Sequence, residues 1–245
     1  MSPELTWLLV GCSVLLASLL GGVIGFGTAA TLLPILSLVL GAKTAVPVLG
    51  VIMIFSNVSR AIFSWKHIDW KAALAFSSAA VPLSMVGAFG FNQSTGKEIS
   101  VFVAVAILCL VPLRRLANHL NFKVGLKHLP WVGGSVGVVT GLGGAVGPAS
   151  APFYLSYGLV KASYVGTDGF NSSLIYISKS IVYGTGGTLT QERLLIGAGL
   201  GTLTIIGSFL GRKVIDRFDA SSFTHFVEAF ILILGTYMLI RAVMS

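Results

Sequence analysis

Two basic side chains, Arg60 and Lys179, stand within apolar stretches that are long enough to be transmembrane helices. A cation in the hydrocarbon core costs at least about 2.5–3.5 kcal/mol, so it usually faces a cavity or a partner. Hydroxyl and amide groups recur at helical spacing around both cations, and such a set suits an oxyanion. The hydrogen-bonding residues that we predict for this substrate site are Asn57, Asn171, Ser172 and Tyr176. The alternative for Arg60 is snorkelling, in which its long stem carries the charge to the membrane interface.

Two glycine-rich motifs, Gly25–Thr28 and Gly141–Gly144, occupy similar places in the two halves of the sequence. We predict that the helices break there, an interpretation that Pro148 favours because proline cannot donate a helical hydrogen bond. A helix that starts at such a break points unpaired N–H groups and its positive dipole end into the protein, where they attract an anion. The residues expected to contribute in this way are Gly27, Thr28, Gly143 and Gly144. The alternative is that the glycines only let neighbouring helices pack closely.

Two acidic residues, Asp168 and Glu228, also fall within predicted spans and are candidates to carry a coupling proton. The alternatives are that Asp168 caps the start of a helix and that Glu228 neutralises a basic side chain. An enzyme is disfavoured, because Ser150 would need a histidine within reach and His225 is the one candidate in a nearby span. We predict no catalytic site, no metal site and no cofactor.

The composition indicates what kind of scaffold positions these residues. Charged residues make up 10% of the sequence and hydrophobic residues 55%, whereas a soluble domain carries about 25% charged residues. A bilayer crossing needs about 20 apolar residues. Three uncharged runs, Leu5–Ala42, Ala72–Gly96 and Leu129–Val160, each have room for one or two crossings. The sequence therefore predicts an all-α polytopic membrane protein.

The predicted spans fall into two similar halves, each a glycine-interrupted block followed by three ordinary helices. The alignment of Ser59–Ile62 with Ser178–Ile181 places Arg60 and Lys179 at matching positions. Each half crosses an odd number of times, whether its block forms full crossings or a re-entrant hairpin of half-helices, so the second repeat is inverted. We predict about eight to ten helical segments in this plan. The boundaries are a first repeat at 1–117, a basic cytoplasmic linker at 118–128 and an inverted repeat at 129–245.

The net charge of +8 is interpreted as topology, since the basic residues lie in short loops between apolar spans. Most of them fall on one side, which predicts that this side is cytoplasmic and that both termini lie outside. The expected partners are the lipid bilayer and a small anionic substrate, with a homodimer reasonable for so small a carrier. Nucleic acid is not an expected partner.

Three segments carry a resemblance to a known family. They are GGVIGFGTAATLLPILSLVLG in the first half, His67–Trp70 after the second span, and GLGGAVGPASAPFYLSYGL in the second half. With the order of the repeats, they make nearly the whole chain similar to the TauE/SafE family of anion exporters. The family pattern has a Gly-Gly-Gly cluster after the first span, where this sequence reads Gly25-Phe-Gly-Thr-Ala29. The second repeat, with Gly143-Gly144, is closer to the pattern.

The resemblance implies a bacterial inner-membrane transporter that exports sulfite, a sulfonate such as sulfoacetate, or a related sulfur-containing anion. We expect alternating access around a site near the membrane midplane, with proton coupling as an option. Related thiosulfate importers relay substrate through membrane cysteines, a mechanism that we disfavour because Cys12 and Cys109 do not recur at matching positions. The alternatives are a passive anion channel and a non-catalytic membrane subunit of a larger complex.

Overall fold

A computed structural model describes residues 3–24, 27–119 and 124–214, and residues 233, 236, 239 and 240 near the C-terminus. Every regular element in these ranges is helical, as the composition predicts. Glu228 and nearly all of the last predicted span lie outside the described residues. The α-helices are α1 (Pro3–Ile24), α2 (Gly27–Leu40), α3 (Ala42–Phe63), α4 (Trp70–Gln93), α5 (Gly96–His119), α6 (Leu129–Gly141), α7 (Val146–Tyr157), α8 (Lys161–Thr185) and α9 (Gln191–Val214).

Length and apolar composition together distinguish three spanning helices from two short helices. Three described helices are long and apolar enough to cross a bilayer, namely α3, α4 and the Gln191–Gly211 part of α9. By contrast, α6 has 13 residues and α7 has 12, so each is about 18–20 Å long and shorter than the hydrocarbon core of about 30 Å. The predicted helix break in the second block is therefore confirmed: α6 ends at Gly141 and α7 starts at Val146.

Glycines on α6 allow this helix to pack directly against α4. Gly133, Gly137 and Gly141 lie one helical turn apart on α6, and a side chain on any of them would collide with the backbone of α4. At Gly137 an added Cβ would lie 3.1 Å from the carbonyl carbon of Ala80 and closer still to its oxygen. These contacts show that close packing accounts for part of the glycine content, as it does in many membrane helix pairs.

The same kind of contact joins α1 to α9. A Cβ on Gly22 of α1 would lie 3.1 Å from the Cα atom of Gly211, and a Cβ on Gly211 would lie 2.9 Å from the Cα atom of Gly22. The first helix of each half thus packs on a later helix of the other half. This reciprocal pairing supports the predicted duplication, which stays a prediction, as do the repeat boundaries and the inversion.

Helices α3 and α8 run antiparallel through the centre of the bundle. Gly166 near the start of α8 packs against Ser64 at the end of α3, and Gly50 in α3 faces Ser180 near the end of α8. Helix α8 also contacts α4 and α7. It is rich in polar residues, and most of those are buried. A helix that polar cannot face lipid at low cost, which explains why it occupies the core.

The link between α3 and α4 contains a 3-10 turn at Trp65–His67 and the cap of α4. Asp69 caps this helix, since its Oδ1 atom accepts from the Ala72 amide at 3.0 Å. The Asp69 amide donates to the Thr167 hydroxyl of α8, also at 3.0 Å. The His67–Trp70 segment therefore connects the start of α4 to α8 through a hydrogen bond.

Candidate functional site

The strongest candidate site is a buried ion pair between α3 and α8. The Arg60 Nη2 atom lies 3.8 Å from the Asp168 Oδ2 atom, and the two side chains are 3% and 0% exposed. Arg60 also donates a hydrogen bond to Asn57 Oδ1, one turn earlier on α3. Snorkelling is therefore the wrong interpretation of Arg60: its charge stays inside the bundle, where an anionic partner neutralises it.

Local sequence explains why these groups meet. Arg60 lies in the last turn of α3, next to Gly169 on α8. A Cβ on Gly169 would lie 3.3 Å from the Arg60 Cβ atom and 3.1 Å from the Asn57 carbonyl oxygen. Glycine at this position therefore lets the two helices approach until the neighbouring Asp168 reaches the guanidinium group.

Asp168 also binds α7. Its Oδ1 atom accepts a hydrogen bond of 2.6 Å from the Ser150 hydroxyl. Helix α8 starts at Lys161 with Val160 as its cap, seven residues before Asp168, so the interpretation of Asp168 as a helix cap is wrong. Sequence reasoning did not pair Asp168 with Arg60, nor did it assign Ser150 to this site. The usable signal was an acid and a base left over in two separate predicted spans.

Two other predicted ligands, Asn171 and Ser172, follow Asp168 on α8 and are buried. Asn171 donates a hydrogen bond from its amide to the Tyr154 hydroxyl of α7. Ser172 lies one turn after Asp168, on the same face of the helix. Tyr154, which sequence reasoning missed, packs its ring 5.0 Å from that of Phe76, measured between ring centroids. These residues extend the polar site from the ion pair into the space between α7 and α8.

Lys179 and Tyr176 lie at the second glycine break. The Lys179 ammonium donates to the Thr140 carbonyl oxygen at 2.9 Å and lies 4.3 Å from the centroid of the Tyr176 ring. The Tyr176 hydroxyl accepts from the Val146 amide at 3.4 Å. Tyr183, which was not among the predicted ligands, donates to the Gly141 carbonyl oxygen at 2.5 Å. Three side chains of α8 thus bind the last carbonyls of α6 and the first amide of α7.

The predicted glycine-break residues lie at two separate places. Gly143 and Gly144 form the turn between α6 and α7, where Gly143 has a φ of +122° that only glycine adopts easily. Gly27 and Thr28 begin α2, and Thr28 packs against Gly21 of α1. The Thr28 hydroxyl is buried and has no hydrogen-bond partner among the described residues.

The two cations are well separated. Arg60 lies beside Gly169, and Lys179 is ten residues farther along α8, a rise of about 15 Å. The Arg60–Asp168 pair and Lys179 therefore lie on opposite sides of the middle of α8. The structure brings Arg60 together with Asn57 and Asp168, and it brings Lys179 together with Tyr176 and the α6–α7 turn.

A separate cavity of about 330 Å³ opens at the other end of α3 from Arg60. Lys43, Thr44, Lys97 and Ser100 contribute to its lining. The Lys43 ammonium already donates to the Phe91 carbonyl oxygen at 2.6 Å, at the end of α4. This lysine therefore stabilises a helix end, in the same way that Lys179 does.

The chain matches a known protein family. Residues 10–238 match the family described as Sulfite exporter TauE/SafE. Curated proteins and solved structures give no match. The matched range includes both glycine breaks, the buried ion pair and the whole of α8. With its helices, its apolar spans and this match over nearly its full length, the chain belongs to the TauE/SafE family of membrane transporters.

Proposed function

We propose that this protein is a secondary transporter of a small sulfur-containing anion, sulfite or a sulfonate such as sulfoacetate, with export as its direction. The family match supports the sulfur chemistry. The buried Arg60 supports the charge of the substrate, because a guanidinium group surrounded by amide and hydroxyl groups suits an oxyanion. This residue is the one observation on which the proposal mainly depends.

In this proposal the substrate binds at Arg60, with hydrogen bonds from Asn57, Asn171 and Ser172. Lys179 and Tyr176 belong to the other side of the translocation path, where they hold the α6–α7 turn. Alternating access comes from movement of one repeat against the other, a mode in which broken helices line the site. The repeats, the bacterial inner-membrane location, the external termini and a homodimer are parts of the proposal.

The test is transport into proteoliposomes that contain the purified full chain. We expect saturable uptake of labelled sulfite or sulfoacetate, stimulated by the same anion on the opposite side of the membrane. Arg60→Gln should reduce uptake by at least about tenfold, since it removes the charge that the anion needs. The matched control is Lys66→Gln, which removes an exposed cation from the turn after α3 and should leave uptake unchanged.

Three outcomes would count against the proposal. Arg60→Gln with normal uptake would remove Arg60 from the site. Anion current without stimulation from the opposite side would indicate the passive channel. Activity that needs a second protein would indicate a membrane subunit of a larger complex.

A further inference from the structure

The charge of Arg60 is already neutralised in this structure. Asp168 lies 3.8 Å away, both side chains are closed to solvent, and Ser150 holds the other carboxylate oxygen. An anion that binds Arg60 must therefore compete with a carboxylate of the protein itself. When the carboxylate loses Arg60, its protonation state determines whether a proton is bound together with the substrate.

We propose that Asp168 is an internal counter-ion, which the substrate displaces from Arg60 and which then takes up one proton. This inference rests on the proposed binding of the anion at Arg60. When the anion binds, the free Asp168 carboxylate and a proton from the adjoining aqueous phase form a neutral carboxylic acid.

The physical reason is the cost of a buried, unpaired charge. Removing one partner of a buried ion pair leaves the other charge uncompensated, which is strongly unfavourable in free energy. A buried carboxylate avoids most of that cost by becoming protonated. In contrast, Ser150 offers a hydroxyl group, which can hydrogen-bond to either form of Asp168 but cannot replace the positive charge.

Other ionisable groups around Asp168 do not supply that charge. Helix α6 carries none, and α7 contributes Tyr154 and Tyr157. Helix α8 itself contributes Tyr164 and Tyr176, the exposed Lys161 at its first residue, and the distant Lys179 and Tyr183. In the α3–α4 link and at the start of α4, the basic groups are exposed: Lys66, His67 and Lys71. The acidic group there, Asp69, is half-buried. Arg60 is thus the cation in direct contact with Asp168 among the described residues.

The exchange at Arg60 couples the binding of the anion and of the proton positively. If anion binding raises the affinity for the proton, then the proton raises the affinity for the anion by the same factor. The two species bind to the same state and cross the membrane in the same direction. For a substrate with a single negative charge, the pair adds no net charge to the protein.

The test measures proton uptake when an anion binds to the purified full chain in weakly buffered detergent solution. The probes are isethionate and sulfoacetate, which stay fully ionised near neutral pH and therefore release no proton of their own. We expect about one proton taken up for each anion bound, and an affinity that falls by up to about tenfold per pH unit as the pH rises. Calorimetry gives the affinity and a pH-indicator dye gives the proton count.

Two variants sharpen the test. Asp168→Asn removes the competing carboxylate, so the anion should bind at least about tenfold more tightly, without proton uptake and independently of pH. Because this variant leaves Arg60 buried without its partner, the neutral double variant Arg60→Gln/Asp168→Asn is the control for folding, and it should bind neither probe.

The outcomes separate the two proposals. Binding by the wild type without proton uptake would overturn the role of Asp168 and leave Arg60 as the anion site. The same conclusion would follow if Asp168→Asn bound the probes with unchanged affinity and unchanged pH dependence. Absence of binding by both the wild type and a folded Asp168→Asn variant would instead overturn the proposed function. Unaltered binding by the double variant would do so as well.

Discussion

The contact between α4 and α6 allows one substitution to be predicted in detail, Gly137→Ala. The new Cβ atom would lie 3.1 Å from the Ala80 carbonyl carbon and well within the van der Waals contact distance of its oxygen. Both atoms are backbone, so no side-chain rotation relieves the overlap and the two helices must move apart. Gly133 and Gly141 face the same helix in the same way, so separation at Gly137 weakens those contacts too.

Overpacking of this kind costs about 1–3 kcal/mol. We expect about 2 kcal/mol, which corresponds to a fall in Tm of about 4–8 °C for a chain of this size. The control is Gly199→Ala in α9, where an added Cβ meets nothing within 4 Å. Its free energy of unfolding should stay equal or rise by up to about 1 kcal/mol, since alanine has the higher helix propensity.

The measurement is thermal unfolding of the two purified variants in detergent, followed by tryptophan fluorescence or by loss of the monodisperse species. The two chemically identical substitutions should differ in effect: Gly137→Ala lowers the Tm, whereas Gly199→Ala leaves the Tm unchanged or raises it. If Gly137→Ala melted together with Gly199→Ala at or above the wild-type temperature, direct backbone packing between α4 and α6 would be refuted.

The remaining predictions concern the second glycine break. Lys179→Met should lower the free energy of unfolding by about 1.5–3 kcal/mol, because it removes a charged hydrogen bond to the Thr140 carbonyl oxygen. If Lys179 acts only on the helix end, the substrate KM should stay within about twofold of the wild type, and a large rise in KM would instead make it a substrate ligand. Gly143→Ala should cost about 1–3 kcal/mol in thermal unfolding, since alanine is strained at a φ of +122°. An unchanged Tm for this variant would contradict the turn geometry.

Much of the architecture could be predicted because the bilayer imposes simple rules on a sequence. The charge-free runs Leu5–Ala42 and Leu129–Val160 indicated membrane helices, and the glycine motif Gly141–Gly144 marked the end of α6. Residues Arg60 and Lys179 were singled out because a charge in an apolar span costs free energy unless a cavity or a partner compensates it. These inferences depend on local composition and on the cost of burying polar groups, both of which the sequence displays directly.

The partners of those residues could not be predicted in the same way. Arg60 meets Asp168 because Gly169 lets α3 and α8 approach closely, and Lys179 meets the end of α6 because that helix stops beside it. Both contacts join positions that are distant in sequence, and hydropathy carries no information about which helix faces which.

The two buried cations show where sequence and tertiary structure each contribute. The sequence by itself determined that both charged residues fall within apolar spans of a helical membrane protein, because residue identity and hydropathy are read from it directly. Tertiary structure alone decided that Arg60 pairs with a carboxylate and that Lys179 binds a carbonyl oxygen at a helix end, about 15 Å apart along α8. The reason is physical: burial costs depend on the residue, whereas compensation depends on which neighbour the packing supplies.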